Sequence, residues 1–201
     1  MEYQDLRGKF RGALLGAAVG DALGAPFEGL PRVAASEPQG LVQEPGPLRY
    51  TDETHMTLGV ARSLAACRCF DGVHMAHTLA RNFASEPWRG YGPGPPEVFR
   101  MLERGVPWDR AGAMLFGGEG SCGNEAAMRM APVALIAVPY LAEGVWLARV
   151  TARITHTQEV GAEGAVLQAC DEGAARGSIC LVRQSSTSRR LPRPRPRASS
   201  A

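Results

Sequence analysis

Apolar residues in this chain recur at helical spacing, and no segment shows strict alternation of apolar and polar residues. Met56, Val60, Leu64 and Cys67 follow one another at intervals of four, four and three. This spacing places them on one face of an α-helix. Comparable helical patterns are found at 10–23, 75–84, 97–104, 141–154 and 159–175, separated by segments rich in Gly and Pro. We therefore predict an all-α fold, a bundle of several helices.

Four consecutive side chains that carry oxygen, Thr51, Asp52, Glu53 and Thr54, come directly before this buried helical stripe. One reading is a capping cluster with Thr54 as the N-cap, because Thr and Asp are common at that position. However, one such residue suffices for a cap, and two adjacent carboxylates repel each other. The other reading is a site for a hard divalent cation, Mg²⁺ or Mn²⁺, with Thr51, Asp52 and Glu53 as ligands.

A glycine-rich loop, GEGSCGN at 118–124, leads into a helix predicted from about Asn124. Glycine lets the backbone approach a ligand closely, and the amides at a helix start can bind phosphate oxygens. The candidate binding residues in this loop are Gly120, Ser121, Cys122, Gly123 and Asn124. The alternative is a plain connector, and for Cys122 a small filler is favoured over a nucleophile, since no partner base is identifiable.

Three further polar residues lie near predicted helix ends. Asp21 and Glu28 belong to GDALGAPFE (20–28), and His156 belongs to ITHT (154–157). Taken alone, Glu28 would be an ordinary loop acid and His156 a hydrogen-bonded histidine of the core. We interpret Asp21 as a helix-terminal or supporting residue, not as a catalytic one.

Two patterns predict how the first helix and the segment after it are arranged. Gly12, Gly16 and Gly20 recur every four residues, so we expect a second helix to pack tightly against this row. The segment from Pro31 to Pro47 is rich in Pro and Gly, and we predict a loop there.

Five cysteines without a CxxC pair indicate buried thiols in a reducing compartment, and neither a disulfide framework nor a zinc site. Basic residues before the apolar run at 12–20 are reminiscent of a secretory signal, but Glu2, Asp5 and Asp21 do not suit one. The chain has no run of about 18 apolar residues, so we predict no membrane span. We expect a cytoplasmic protein, and a monomer.

The charge is unevenly distributed along the 201 residues. Seven of the 22 Lys and Arg residues lie at 176 or beyond, and all 20 acidic residues lie at or before Glu172. Residues 1–172 therefore carry a formal charge of −5, and we expect no nucleic-acid binding by this body. Residues 183–201 have almost no apolar side chain. We predict a disordered Arg/Pro/Ser-rich tail, with two alternatives open: a frameshift product, and a basic arm for an anionic partner.

Four segments taken in order resemble the motifs of the ADP-ribosylglycohydrolase family. They are GDALGAPFE (20–28), TDET (51–54), GEGSCGNEAAMR (118–129) and ITHT (154–157). This family includes the dinitrogenase reductase-activating glycohydrolases and the ADP-ribosyl-acceptor hydrolases. The segment at 71–94, which ends in RGYGPG, further resembles the ADP-ribosylserine hydrolase branch.

The resemblance implies an orthogonal multi-helix bundle of the ADP-ribosylglycohydrolase type, and an enzyme that hydrolyses the bond between ADP-ribose and a protein side chain. It implies two Mg²⁺ or Mn²⁺ ions, with Thr51, Asp52 and Glu53 as ligands of one of them. Glu28, Asp52 and Glu53 would be the catalytic residues, Glu28 acting as a gate or a general base. Gly120, Ser121, Cys122, Gly123, Asn124 and His156 would bind the ADP-ribose.

The sequence departs from the family pattern in three places. Glu53 and Glu125 stand where the family has Asp and Gly, and no GGDTDT-like motif follows Asp171. We therefore expect residues 1–182 to form a partial, C-terminally truncated domain in which the second ion and the activity are impaired. The alternative function is a non-catalytic ADP-ribose-binding or structural protein on the same scaffold.

Overall fold

The computed structural model describes residues 3–43, 46–137 and 141–174. Within these ranges every regular element is helical, so the all-α prediction is confirmed. The predicted tail at 183–201 and Cys180 lie outside the described residues. The α-helices are α1 (Tyr3–Gly24), α2 (Ser36–Gln43), α3 (Asp52–Cys67), α4 (Gly72–Ser85), α5 (Gly94–Glu103), α6 (Trp108–Ala111), α7 (Ala131–Ala137), α8 (Leu141–Ala152) and α9 (Glu159–Ala174); 3₁₀ turns occupy Ala25–Phe27, Gly112–Gly118 and Asn124–Ala126.

Helix α3 lies at the centre of the hydrophobic core. Met56 and Val60 are fully buried and Leu64 is buried, as the helical stripe predicts. Cys67, the last member of the stripe, is only half-buried. Gly59 brings α3 close to α4, because a Cβ at that position would lie 2.7 Å from Leu79 Cδ2. The core extends from this contact to α5, α7, α8 and α9.

The N-terminus of α3 begins three residues earlier than the capping reading predicts. Thr51, not Thr54, is the N-cap, and its side-chain oxygen accepts a weak hydrogen bond from the Glu53 amide at 3.4 Å. Thr54 is buried in the first turn, where its hydroxyl donates to Asp21. The prediction of Thr54 as the cap is therefore wrong, because the Asp21 carboxylate engages both threonines.

The prediction of tight packing at Gly12, Gly16 and Gly20 is also wrong. A Cβ at any of the three would meet no atom within 4 Å. On the same side of α1, Leu15 and Val19 are 65% and 52% exposed. Helix α1 instead uses its opposite side, which contacts α3 and α7.

Two other predictions need correction. The segment predicted as a loop contains helix α2, at whose start the Glu37 carboxylate accepts a hydrogen bond from the Ala34 amide. The described cysteines are free thiols as predicted, but Cys69 and Cys122 are exposed and not buried.

The helix predicted from Asn124 is a single 3₁₀ turn, and the next α-helix begins at Ala131. Pro132 suits that start, because a proline in the first helical turn gives up only an amide that has no helical partner. None of the described helices combines the length and the apolar character that crossing a membrane requires.

The contact between α3 and α4 gives a first prediction. Replacing the fully buried Leu79 by Ala should lower the free energy of unfolding by about 2–5 kcal/mol, because it removes packed methyl groups and leaves a cavity. The matched variant Leu15→Ala, on the exposed face of α1, should change it by less than about 0.5 kcal/mol. Urea unfolding followed by circular dichroism measures both. Equal losses would contradict the assignment of the core.

Candidate active site

The Asp21 carboxylate, near the end of α1, holds the first turn of α3 by hydrogen bonds from two residues. The amide of Thr51 donates to Oδ2 at 2.9 Å and that of Thr54 to the same oxygen at 3.0 Å. The hydroxyls of Thr51 and Thr54 donate to Oδ1 and Oδ2 at 2.7 and 2.6 Å. Asp21 is buried, and its negative charge faces the positive end of the helix dipole. Asp21 is thus a positioning residue, as the sequence indicates.

Asp52 and Glu53, the first two residues of α3, form an acidic group with Glu28 and Glu125. Burial raises the pKa of Asp52 to about 7, and the charges of Glu28, Glu125 and Glu53 add to the rise. Burial also raises the pKa of Glu53, with further contributions from Asp21 and Glu28. The structure therefore brings the three predicted catalytic carboxylates within electrostatic reach of one another. Asp52 is buried, while Glu28 is exposed.

The loop between α4 and α5 supports the start of α3 from the other side. The Arg89 carbonyl accepts a hydrogen bond from the Asp52 amide at 2.7 Å. The Arg89 guanidinium lies 3.7 Å from the Tyr50 ring centroid and donates to the Tyr50 carbonyl. Tyr91 lies 3.0 Å from His55 Nδ1, and burial, followed by the charge of Asp52, raises the pKa of Tyr91. Sequence reasoning noted this loop through the RGYGPG resemblance but assigned no role to Arg89 or Tyr91.

The glycine-rich loop at 118–124 packs against the segment that carries His156. Gly120 has a φ of +76°, and a Cβ there would lie 2.2 Å from Thr157 Oγ1. Glycine is therefore required at this position for both conformation and space. Ser121 is buried and its hydroxyl oxygen accepts a hydrogen bond from the Gly123 amide, whereas Cys122 is exposed. The third and fourth sequence motifs are thus in direct contact.

His156 is fully buried and belongs to a chain of hydrogen bonds that fixes its tautomer. Arg129, also fully buried, donates from Nη2 to Thr155 Oγ1 at 2.9 Å, and Thr155 Oγ1 lies 2.8 Å from His156 Nδ1. Burial lowers the pKa of His156, so the imidazole is neutral. Nδ1 therefore accepts from the Thr155 hydroxyl, and Nε2 carries the proton.

The His156 Nε2–H donates to Glu125 Oε2 at 2.8 Å. This hydrogen bond lowers the pKa of Glu125, so the pair is a carboxylate bound to a neutral imidazole. Sequence reasoning treated Glu125 only as a departure from the family pattern and gave Arg129 no role. The one available signal was the i, i+4 spacing of these two charged residues in an otherwise apolar segment.

A cleft of about 450 Å³ opens beside Glu53 at the start of α3. Its lining comes from α1, α3, α9 and the segment around Asn124, and Glu53 and Asn124 are the predicted site residues among it. Asp21 and Thr54 also line it, so the anchored turn of α3 forms one wall.

Comparisons with known proteins show the family to which the chain belongs and its fold. Residues 2–184 match the family described as ADP-ribosylglycohydrolase. The chain belongs to the ADP-ribosylglycohydrolase family. A solved chain from an ADP-ribosylglycohydrolase-related protein complex has the same fold: it aligns with a TM-score of 0.66 at 32% identity, over 88% of this chain and 59% of that chain.

Curated members of the family are similar over most of this chain. ADP-ribosylhydrolase ARH3 of Mus musculus is 38% identical over 80% of this chain and 47% of its own length, and that of Homo sapiens is 37% identical over 80% and 48%. The ADP-ribosyl dinitrogen reductase glycohydrolase of Rhodospirillum rubrum is 32% identical over 72% and 50%. The chain spans about half the length of the curated relatives it matches.

The acidic group offers ligands of the kind that a hard divalent cation prefers. Its donors are all oxygen, and neighbouring carboxylates raise the pKa of Asp52 and of Glu53, a repulsion that a divalent cation would relieve. The Thr51 hydroxyl donates a hydrogen bond to Asp21, so a lone pair of Thr51 Oγ1 can face a cation. Within residues 3–43, 46–137 and 141–174, however, no three His, Cys, Asp or Glu side chains are arranged around one metal position. The donor chemistry fits a hard cation, and the ligand set in the described residues is partial.

The environment of Asp52 predicts a pH-dependent stability in the absence of divalent cations. Between pH 4 and 7 the folded protein keeps a proton on Asp52 that the unfolded chain has released, because the pKa is about 7 against 3.8. The free energy of unfolding should therefore fall as the pH rises through this range and then level off. Asp52→Asn removes this penalty, so above pH 7 it should be about 1–3 kcal/mol more stable than the parent.

Urea unfolding in EDTA at several pH values measures this difference. The gain from Asp52→Asn should be small near pH 4 and grow toward pH 7. A gain that is independent of pH would contradict the assignment.

The anchoring of α3 by Asp21 gives another prediction. Asp21→Asn keeps the shape but replaces one acceptor oxygen by a donor facing Thr51 and Thr54, so it should cost about 1–3 kcal/mol of unfolding free energy. The matched variant is Asp71→Asn, at the N-cap of α4, where the side chain accepts from the His74 amide. That change should be nearly neutral, since Asn caps helices as well as Asp does. Thermal unfolding compares the two variants, and similar midpoints would count against an anchoring role for Asp21.

Proposed function

We propose that this protein binds an ADP-ribosyl group in the cleft between α1, α3 and α9 and hydrolyses its bond to a protein side chain. The observation that carries the proposal is the acidic group at the anchored start of α3, in which Glu28, Asp52 and Glu53 are the proposed catalytic residues. Membership of the ADP-ribosylglycohydrolase family supports this substrate class. The names of the Mus musculus and Rhodospirillum rubrum relatives support it as well.

The glycine-rich loop is the proposed contact for the diphosphate of ADP-ribose. Gly120 and Gly123 keep its backbone free of side chains, and Ser121, Cys122 and Asn124 supply the remaining surface. His156 would contribute its Nε2–H, which the Arg129–Thr155 chain of hydrogen bonds holds in the donor form, once the Glu125 carboxylate that accepts this hydrogen bond in the structure has moved away. A buried neutral donor of this kind can bind a ligand oxygen without bringing a second charge into the site.

Thr51, Asp52 and Glu53 are the residues that would hold Mg²⁺ or Mn²⁺. When bound, such an ion polarises the ribose hydroxyls and positions a water molecule. The family resemblance implies a second ion. Among the described residues, no third acidic or imidazole ligand joins Asp52 and Glu53. We therefore propose that this chain binds one metal ion at Thr51, Asp52 and Glu53, and we assign no ligands to a second ion.

Glu28 is the proposed general base. Its carboxylate is exposed, and its charge acts on both Asp52 and Glu53, so it is a member of the acidic group that has access to solvent. In the reaction the water oxygen forms a bond to C1″ of the ribose while the bond from C1″ to the side-chain nitrogen or oxygen breaks. Glu28 takes one proton of the water and later releases it to solvent, and the leaving nitrogen or oxygen takes up a proton from solvent.

Release of ADP-ribose from a peptide modified on Ser, and from one modified on Arg, tests the proposal. With Mg²⁺ present, the full chain should release ADP-ribose from one of the two, and Asp52→Asn should reduce the rate by about 100-fold or more because it removes a ligand charge. Glu28→Gln should lower the rate by about 100-fold through loss of the base. The matched control is Glu103→Gln, an exposed acid at the end of α5, which should leave the rate unchanged. Release that survives in Asp52→Asn would contradict the metal assignment.

A second candidate is a non-catalytic ADP-ribose-binding protein on the same scaffold. The partial ligand set in the described residues favours it. Calorimetric titration with ADP-ribose, beside the release experiment, separates the two functions: binding without release, at any Mg²⁺ concentration, selects the second candidate.

Two properties of the whole protein are also part of the proposal, a monomeric state and a cytoplasmic location. Light scattering of the purified chain tests the first, and cell fractionation tests the second.

A further inference from the structure

The carboxylate of Glu125 fills the space between two glycines that come from different loops. A Cβ at Gly92 would lie 2.2 Å from Glu125 Oε1, and a Cβ at Gly123 would lie 2.2 Å from Oε2. Neither position therefore admits a side chain while Glu125 is in place. The side chain of Glu125 is only 13% exposed, so its charge lies inside the cradle of the glycine-rich loop and not in solvent.

The same carboxylate uses the donor that an anionic ligand would need. The only proton of the neutral His156 imidazole is on Nε2, and it is given to Glu125 Oε2. Arg129 lies behind His156 and is fully buried, with its Nη2 directed to Thr155 and to the backbone of α8. The positive charge of this region is therefore out of reach of a ligand, and the accessible group at the cradle is negative.

Charge repulsion at the cradle also opposes an anion. Glu125 Oε2 lies 2.8 Å from His156 Nε2, so a phosphate oxygen placed at this nitrogen would meet the negative charge of the Glu125 carboxylate directly. An anion can use this donor only if the Glu125 carboxylate leaves it.

We propose that Glu125 is an internal occupant of the anion cradle and sets its specificity: it excludes phosphate groups from His156 Nε2 until its side chain swings out. The identity of the physiological ligand rests on the proposed function. The exclusion of a diphosphate by Glu125 is independent of that function. Glu125 is in this sense a specificity-determining residue. The binding of inorganic pyrophosphate and of ADP-ribose measures the effect of Glu125 on phosphate-containing ligands.

Calorimetric titration of the full chain with inorganic pyrophosphate tests the exclusion. Glu125→Gln keeps the shape and an acceptor for His156 but removes the charge, and Glu125→Ala empties the cradle. Both should bind pyrophosphate roughly 10- to 100-fold more tightly than the parent, because a full negative charge has been removed at close range. The matched control Glu103→Gln removes the same charge from the end of α5 and should bind as the parent does. Thermal unfolding checks that each variant is folded.

The ¹⁵N chemical shift of His156 Nε2 gives a readout that depends on neither activity nor stability. Pyrophosphate should move this signal in the parent only at concentrations that saturate the weak site, and in Glu125→Ala at concentrations about 10- to 100-fold lower. Unchanged pyrophosphate affinity in both Glu125 variants would overturn the proposal, as would the absence of pyrophosphate binding to any of these proteins.

ADP-ribose, titrated in parallel, separates this proposal from the proposed function. If the variants gain affinity for pyrophosphate while no protein binds ADP-ribose, the exclusion stands and the proposed function fails. If the parent binds ADP-ribose and the variants bind it more weakly, Glu125 is a ligand anchor, which overturns the exclusion and leaves the proposed function intact.

Discussion

The contact between Asp21 and the two threonines of α3 is the interaction on which the rest of the site depends. It joins residues that are 30 and 33 positions apart in the chain, and it satisfies the amides of Thr51 and Thr54 at a buried helix start. With these groups fixed, the start of α3 holds Glu53 at the wall of the cleft and Asp52 next to it in the chain. A capping side chain from within α3 could satisfy the same amides, but it could not tie α1 to the acidic group.

The site is divided electrostatically into two halves. On one side lie the carboxylates at the start of α3, and burial and the charge of Glu28 raise the pKa of both Asp52 and Glu53. On the other side lies Arg129, which is fully buried and whose pKa burial lowers to about 10. Glu125 and His156 lie between these halves and are linked to each other by one hydrogen bond. In the proposal made above, the charge of Glu125 at this boundary determines whether a phosphate group can reach His156.

The sequence predicted the helices of this fold better than the residues that pack against them or form hydrogen bonds with them. Helical spacing identified α3 and its buried face, because periodicity reports on burial along a single element. It could not choose between Thr51 and Thr54 as the cap, since both are good caps and the deciding acceptor, Asp21, is distant in the chain. The row of glycines in α1 is the same letter pattern whether or not a helix packs on it, and here none of the described residues does.

The site itself shows the same limit. The family resemblance predicted one common site for the TDET motif, the ITHT motif and the glycine-rich loop. In the structure the glycine-rich loop contacts the ITHT segment, and the charge of Glu125 reaches Asp52 of TDET. The position of Glu125 was not predictable from its own neighbours, since Gly92 comes from another loop and only the fold brings the two together. Arg129 was missed for the opposite reason: a charged residue in an apolar segment gives no sign of whether it faces solvent or the core.

The open glycine face of α1 has a consequence for the dynamics of the protein. Each glycine inside a helix costs about 1 kcal/mol relative to alanine, and here the described residues place no packing partner on Gly12, Gly16 or Gly20 to offset it. We therefore expect α1 to open locally more readily than α3, and its amides to exchange with solvent before those of α3. Since Asp21 lies near the C-terminal end of α1, every such opening that reaches it also releases the first turn of α3. Whatever stabilises α1 from outside thus also orders the acidic group.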